Sequence, residues 1–182
     1  MFTPVERDLA RGWPGRIDGD RVIQLAAQTL QSFFTGGGAA REHAVWPLAD
    51  VVMRAPVLHP PSVRIFDDGR SFAFANPEAI RHPDEEIEPP EGADGLVALE
   101  RPTALIGTHG EIGGFTTLRE WRADGLEPPK DRDFALQLLP VVVTPDEWDA
   151  DGFDWEGAAA YAARGTILRP GDLLAGPPRE PR

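Results

Sequence analysis

Residues 128–148 read PPKDRDFALQLLPVVVTPDEW and hold Lys130, the only lysine of the 182-residue chain. Within this stretch LQLLPVVV reads as a buried strand, a short apolar run bounded by turn residues. Pro140 has no amide hydrogen to give to a ladder, so the strand carries a bulge or lies at an edge. Thr144-Pro145-Asp146-Glu147 follows with an N-cap Thr, a Pro at the first helical position and a Glu at the third, which opens a short helical turn. Lys130 stands at a loop-to-strand junction. An ammonium placed there can hold a substrate carboxylate or oxyanion; the other reading is a surface lysine paired with its neighbouring aspartates, Asp131 and Asp133.

Outward from this block the apolar runs are short and turn signals are frequent. Gly and Pro, 19 each, make up about a fifth of the chain, which favours short strands and turns over long helices. LVALERPTALIG (96–107) and EIGGFTTL (111–118) are predicted strands, with REWRADGLEPP (119–129) a loop. SFAFANPEAI (71–80) alternates as a strand and turns at Asn76-Pro77. RHPDEEIEPPEGADG (81–95) reads as an exposed acidic loop. Three prolines in VVMRAPVLHPPSVRIF (51–66) predict an extended connection or edge segment. GRIDGDRVIQL (15–25) predicts a hairpin about Asp18-Gly19. AAQTLQSFFTGGG (26–38) predicts a short helix buried through Ala27, Leu30, Phe33 and Phe34, with Gly36 as its left-handed C-cap. Asp154 caps a second helix that Gly165 ends, and TILRPGDLLAG (166–176) closes as strand, Pro-Gly turn, strand. The fold class expected is mainly β (α+β), with a hairpin-helix appendage over 1–50 and a core domain over 51–182.

The net charge is −12, and the basic side chains other than Lys130 are scattered arginines. No basic stripe can neutralise phosphates, which argues against nucleic acid, and the negative charge works against anionic membranes. No apolar run approaches the roughly 20 residues of a membrane-spanning helix. MFTPVERDLARG at the start lacks the basic and apolar regions of a secretory signal, so a cytoplasmic location is expected. There is no cysteine for a disulfide or thiolate site. A G-x-S-x-G elbow, an H-E-x-x-H motif and a P-loop are absent. His43, His59, His82 and His109 are far apart in sequence and read as surface or structural. Asp84, Glu85, Glu86 and Glu88 can offer oxygens to a hard cation, but without Gly-Asp alternation they read as a solvated loop.

Taken in order, five segments resemble the fumarylacetoacetate hydrolase (FAH) family over roughly residues 45 to 176. APVLHPPSVRIF is similar to the segment that leads into the family's core, and FAFANPEAI to its next strand. GGFTTLREWRA resembles G-[FY]-T-x-x-N-D-W-S-A-R-D. PPKDRDFALQLLPVVVTPDE resembles K-G-[KR]-D-F-x-x-S-x-G-P-x-x-V-T-P-D-E, and GTILRPGDLLAG resembles the closing L-x-P-G-D-x-x-x-x-G-T. The resemblance implies an FAH-like mixed β-sandwich or β-roll, a divalent metal, and hydrolysis, decarboxylation or isomerisation of small 2-oxo and diketo acids.

Carried over position by position, the family's metal ligands fall on Ile65, on Leu99 and Arg101 in place of an E-x-E pair, and on Glu120 in place of an aspartate. Glu120 alone keeps a ligand's charge, and Lys130 aligns with a catalytic lysine. A shift of one residue would bring in Glu100, but strand side chains alternate faces, so it would point away without a bulge. The loop that brings a His and a Glu is missing between Phe66 and Phe72, and Gly176-Pro177 replaces a closing Gly-Thr. These replacements imply a degenerate metal site with no cofactor. The expected role is to bind a small anionic or 2-oxo acid ligand through Arg101 and Lys130, or to act as a pseudoenzyme partner subunit. The alternative is an FAH-type hydrolase, decarboxylase or isomerase using Glu120, Glu100 and Lys130 with Mg²⁺ or Ca²⁺. The resemblance also implies a homodimer or a hetero-complex with another protein.

Overall fold

Asp18 and Gly19 turn the chain sharply, Gly19 at φ +61°, and join β2 (Gly15–Asp18) to β3 (Arg21–Leu25) as the expected hairpin. The protein is described here as a computed structural model covering residues 1–7, 9–149 and 152–179, so residue 8 of the expected appendage and residues 150, 151 and 180–182 of the expected core lie outside the described residues. A third strand, β4 (Glu42–Pro47), completes this small sheet in the order β2-β3-β4. Between them α1 (Leu30–Thr35) starts with a reciprocal cap, in which the Ser32 amide donates to the Thr29 hydroxyl and the Thr29 amide to the Ser32 hydroxyl, both at 2.9 Å. Gly36 is not left-handed, with φ −79°; Gly37 and Gly38 take the positive φ instead, because the chain turns one residue after the cap. β1 (Phe2–Pro4) pairs with β5 (Val51–Met53), which ties residues 51–53 to the N-terminal end across the expected boundary.

The larger sheet uses β6 (Val63–Phe66), β7 (Phe72–Ala75), β8 (Ile80–Arg81), β9 (Gly95–Ile106), β10 (Ile112–Asp124), β11 (Leu136–Leu138) and β12 (Leu173–Ala175). Their order is β7-β6-β12-β9-β10-β11-β8, mixed parallel and antiparallel. The fold is mainly β with two α-helices among the described residues, α1 and α2 (Trp155–Ala163). Val63, Ile65, Leu105, Leu118, Leu138 and Leu173 cover one face of the sheet together with Phe34 of α1. Phe66, Ala104, Ile106, Phe115 and Leu174 cover the other, against Trp155, Ala158 and Ala162 of α2. Cover on both faces explains why the central strands read as continuous apolar runs.

Further sequence expectations change: residues 166–169 form no strand, and of LQLLPVVV only Leu136–Leu138 does. Val63–Phe66 is an interior strand, paired with β7 on one side and β12 on the other, because all three prolines of its segment precede it. REWRAD (119–124) is strand rather than loop. It continues β10, whose rungs with β9 run unbroken from Gly114↔Leu105 to Asp124↔Gly95, the only register shift lying earlier, between Ile112 and Gly114. Its polar residues obscured the strand, since they are neutralised by partners that local sequence does not reveal.

Candidate functional site

Twofold alternation along β9 and β10 assembles the site. Arg101 lies opposite Leu118 and Glu120 opposite Leu99, so these four share one face, and Arg122 follows on the same side. Ile65, Ala175 and Thr103 form the adjacent row across β6, β12 and β9. Ile65, Leu99, Arg101 and Glu120, matched above to the family's ligand positions, are thus carried on one face of the sheet.

The chemistry of that face is a chain of alternating charges. Arg101 is 2% exposed and Glu120 1%, and Arg101 Nε donates to Glu120 Oε2 at 2.7 Å. Arg101 Nη1 donates to the carbonyls of Gly176 at 3.1 Å and Phe66 at 3.4 Å, and lies 3.0 Å from Asp67 Oδ1. The second oxygen of Glu120, Oε1, is 2.7 Å from Arg122 Nε. Arg122 Nη1 reaches Asp131 Oδ2 at 3.5 Å, and Arg132 holds both oxygens of Asp131 at 2.7–3.0 Å. Hydrogen bonding from Arg132 is the main cause that keeps the Asp131 carboxyl below its ordinary range.

This donor set does not fit a divalent cation. Two of the four positions are aliphatic, a guanidinium fills the third, and of the Glu120 oxygens Oε2 accepts from Arg101 Nε while Oε1 lies 2.7 Å from Arg122 Nε as an ion pair but accepts no hydrogen bond. A dication there would face a buried positive charge at contact range, where repulsion amounts to several kcal/mol even at an effective dielectric of ~20. Hard ions need about six oxygens; of the four matched positions only Glu120 offers a carboxylate, and the nearby Asp67 carboxylate and the Phe66 and Gly176 carbonyls are on Arg101. Among the described residues no three His, Asp or Glu side chains converge as a metal cage.

The structure brings Arg101 and Glu120 together and sets Lys130 apart. The lysine side chain is 74% exposed, with Nζ 2.8 Å from Asp133. Its loop is nevertheless tied to β10, since the Ala123 amide donates to the Asp131 carbonyl at 2.8 Å. Glu100 pairs with Arg119 at 2.9 Å on the opposite face of β9, and no bulge turns it toward Glu120. The acidic residues Asp84, Glu85, Glu86 and Glu88 are exposed. His82 is the most enclosed of the histidines, its Nδ1 accepting from the Ala55 amide at 3.2 Å. Cavities of about 810 and 520 Å³ lie around Trp13 and around Phe34, and no ladder residue lines either.

Sequence reasoning missed Asp67, Arg122 and the link through Asp131 and Arg132. The signal was present: Leu118, Glu120 and Arg122 at i, i+2 and i+4 would have faced Arg101 had 119–124 been read as a strand.

The sequence matches no protein-family model and no curated protein. Solved structures do resemble the fold. Maleylpyruvate hydrolase from Sphingobium sp. SYK-6 matches with a TM-score of 0.72 at 20% identity, over 93% of this chain and 86% of that one. A second structure of that enzyme is a complex with manganese(II) and pyruvate. A 2-keto-3-deoxy-D-arabinonate dehydratase complexed with magnesium and 2,5-dioxopentanoate matches with a TM-score of 0.73 at 14% identity, over 96% of this chain and 87% of that one. A 5-carboxymethyl-2-hydroxymuconate delta-isomerase from Mycobacterium smegmatis matches with a TM-score of 0.69 at 20% identity, over 92% of this chain and 83% of that one. Strand content, sheet order and these likenesses agree with the resemblance read from the five segments: the chain has the fold of the fumarylacetoacetate hydrolase family.

Proposed function

We propose that this protein works without the divalent metal of its structural neighbours, as a pseudoenzyme that binds a small anionic acid of the 2-oxo type. The observation that carries the reading is the buried Arg101–Glu120 pair, which puts a protein cation on the face that the resemblance assigns to the metal. The complexes of two neighbours with pyruvate and 2,5-dioxopentanoate support the ligand class. Arg101 is the proposed ligand-binding cation. Lys130, one residue from Asp131 on an exposed stem, completes the proposed pair only by leaving Asp133. The neighbours' activities favour a competing reading, a hydrolase, isomerase or dehydratase with a rearranged site, but Glu100 and Glu120 would then have to act from opposite faces of β9 and β10.

Thermal unfolding with millimolar Mg²⁺, Mn²⁺ and Ca²⁺ separates the two. No shift is expected. A ligand at a hundredfold excess over its Kd stabilises the folded state by about 2.7 kcal/mol, so a specific metal site would raise Tm by several degrees. Such a rise, abolished in Glu120→Ala, overturns the metal-independent reading.

A further inference from the structure

Three guanidiniums, those of Arg101, Arg122 and Arg132, share the ladder with two enclosed carboxylates, Glu120 at 1% and Asp131 at 15% exposure. Three positive charges less two negative leaves one positive charge, and Asp67 balances it. That third anion differs from the others, since its side chain is 76% exposed while the Arg101 it meets is 2% exposed. We infer that Asp67 is a tethered stand-in for a ligand carboxylate: its place on Arg101 Nη1 is an anion site, and a small monocarboxylate binds there by displacing it. The inference rests on the proposed function, from which it takes the ligand class.

Two local features let Asp67 leave without loosening anything else. The β6–β7 connection is built by its neighbour, Asp68, whose Oδ1 accepts from the amides of Arg70 at 2.9 Å and Ser71 at 3.3 Å, with Gly69 at φ +73°. The turn therefore does not depend on the Asp67–Arg101 contact, and rotation of one side chain empties the site. On the other side the guanidinium stays aimed, because Glu120 holds Nε and the Gly176 carbonyl holds Nη1. An ion pair with one partner mostly in water is weakly held, and Arg101, which keeps Glu120 on Nε, still has Nη1 to offer to an incoming carboxylate. Arg132, raised above its ordinary value chiefly by its hydrogen bonds to Asp131, also senses the charges of Glu120 and Asp67.

Calorimetric titration of the full chain with pyruvate tests this in three proteins: the parent, Asp67→Ala and Asp68→Asn. Asp68→Asn makes the same change in net charge one residue away and keeps an oxygen to cap the turn. Asp67→Ala is expected to bind pyruvate at least tenfold more tightly than the parent, Asp68→Asn to bind as the parent does, and the neutral ester methyl pyruvate to bind to none. Equal affinities in the parent and Asp67→Ala, or equal gains in both variants, overturn the stand-in while leaving the carboxylate reading in place. Absence of pyruvate binding in all three proteins overturns the carboxylate reading and this inference with it.

Discussion

Replacing Glu120 with alanine removes the anion at the centre of the ladder, and the size of the loss follows from its geometry. Glu120 is 1% exposed and meets Arg101 Nε and Arg122 Nε, each at 2.7 Å. At an effective dielectric near 20, Coulomb attraction across that distance is about 6 kcal/mol per contact. Taking the ions out of water offsets much of it, at several kcal/mol per ion, so truncation of one partner of a buried pair costs about 3–5 kcal/mol. Arg122, at 22% exposure, adds little, because it can turn to water and keep Asp131. In a domain of this size each kcal/mol moves Tm by roughly 2–4 °C, so Glu120→Ala should unfold about 6–20 °C below the parent. Removing the cation as well should restore most of that loss, since apolar replacement of a whole buried pair is often neutral or stabilising. The double variant Arg101→Met, Glu120→Leu is therefore expected within about 2 kcal/mol of the parent. Urea and thermal unfolding followed by circular dichroism measure both. A fall of less than ~3 °C in Glu120→Ala, or a double variant no more stable than the single one, refutes the claim that this pair is desolvated and mutually dependent.

Two further outcomes follow from other parts of the molecule. Burial holds His82 below its ordinary value of 6.5. The unfolded chain then binds more protons than the folded one around and just below that value, so the stability His82 contributes is present above pH 6.5 and lost as pH falls through the window beneath it. Unfolding midpoints between pH 7.5 and pH 5 should drop less steeply in His82→Asn, and parallel curves would count against the assignment. Lys130→Ala should leave stability within about 0.5 kcal/mol, as an exposed lysine paired with Asp133 implies; a larger loss by urea unfolding would mean that the lysine is held inside the site.

Much of the fold was legible because its signals are local or ordered along the chain. Asp18-Gly19 marks the hairpin through the φ it requires, and Asp154 marks α2 by accepting from the Gly157 amide through its carboxylate. The five segments gave the architecture in sequence order. REWRAD escaped because a strand is recognised by an apolar face, and here that face carries Glu120 and Arg122, whose neutralising partners come from 19 residues back in Arg101 and 9 residues on in Asp131. Asp67 escaped for a related reason. Its partner is 34 residues away, and in a D-D-G-R turn both aspartates look alike although one caps the turn and the other reaches the site.

The replacements at the matched ligand positions are electrostatically coupled. Relative to the ligand pattern that the resemblance implies, Leu99 and Ile65 would each stand in place of a carboxylate that repels its neighbours in the absence of a dication. Arg101 supplies one positive charge, and Glu120, the carboxylate that remains, is matched to it at 2.7 Å. Any one of these changes alone would strand a charge in a place that excludes water: an arginine among carboxylates and a dication, or a glutamate with no cation. Such stranded charges cost several kcal/mol each, comparable to the whole stability of a domain at about 5–15 kcal/mol. The charges alternate from the buried Arg101 to Arg132, whose side chain is 40% exposed, and Asp67 meets Arg101 from the solvent side. A site kept neutral in this way, with one partner facing water, is what the proposed anion-binding role requires.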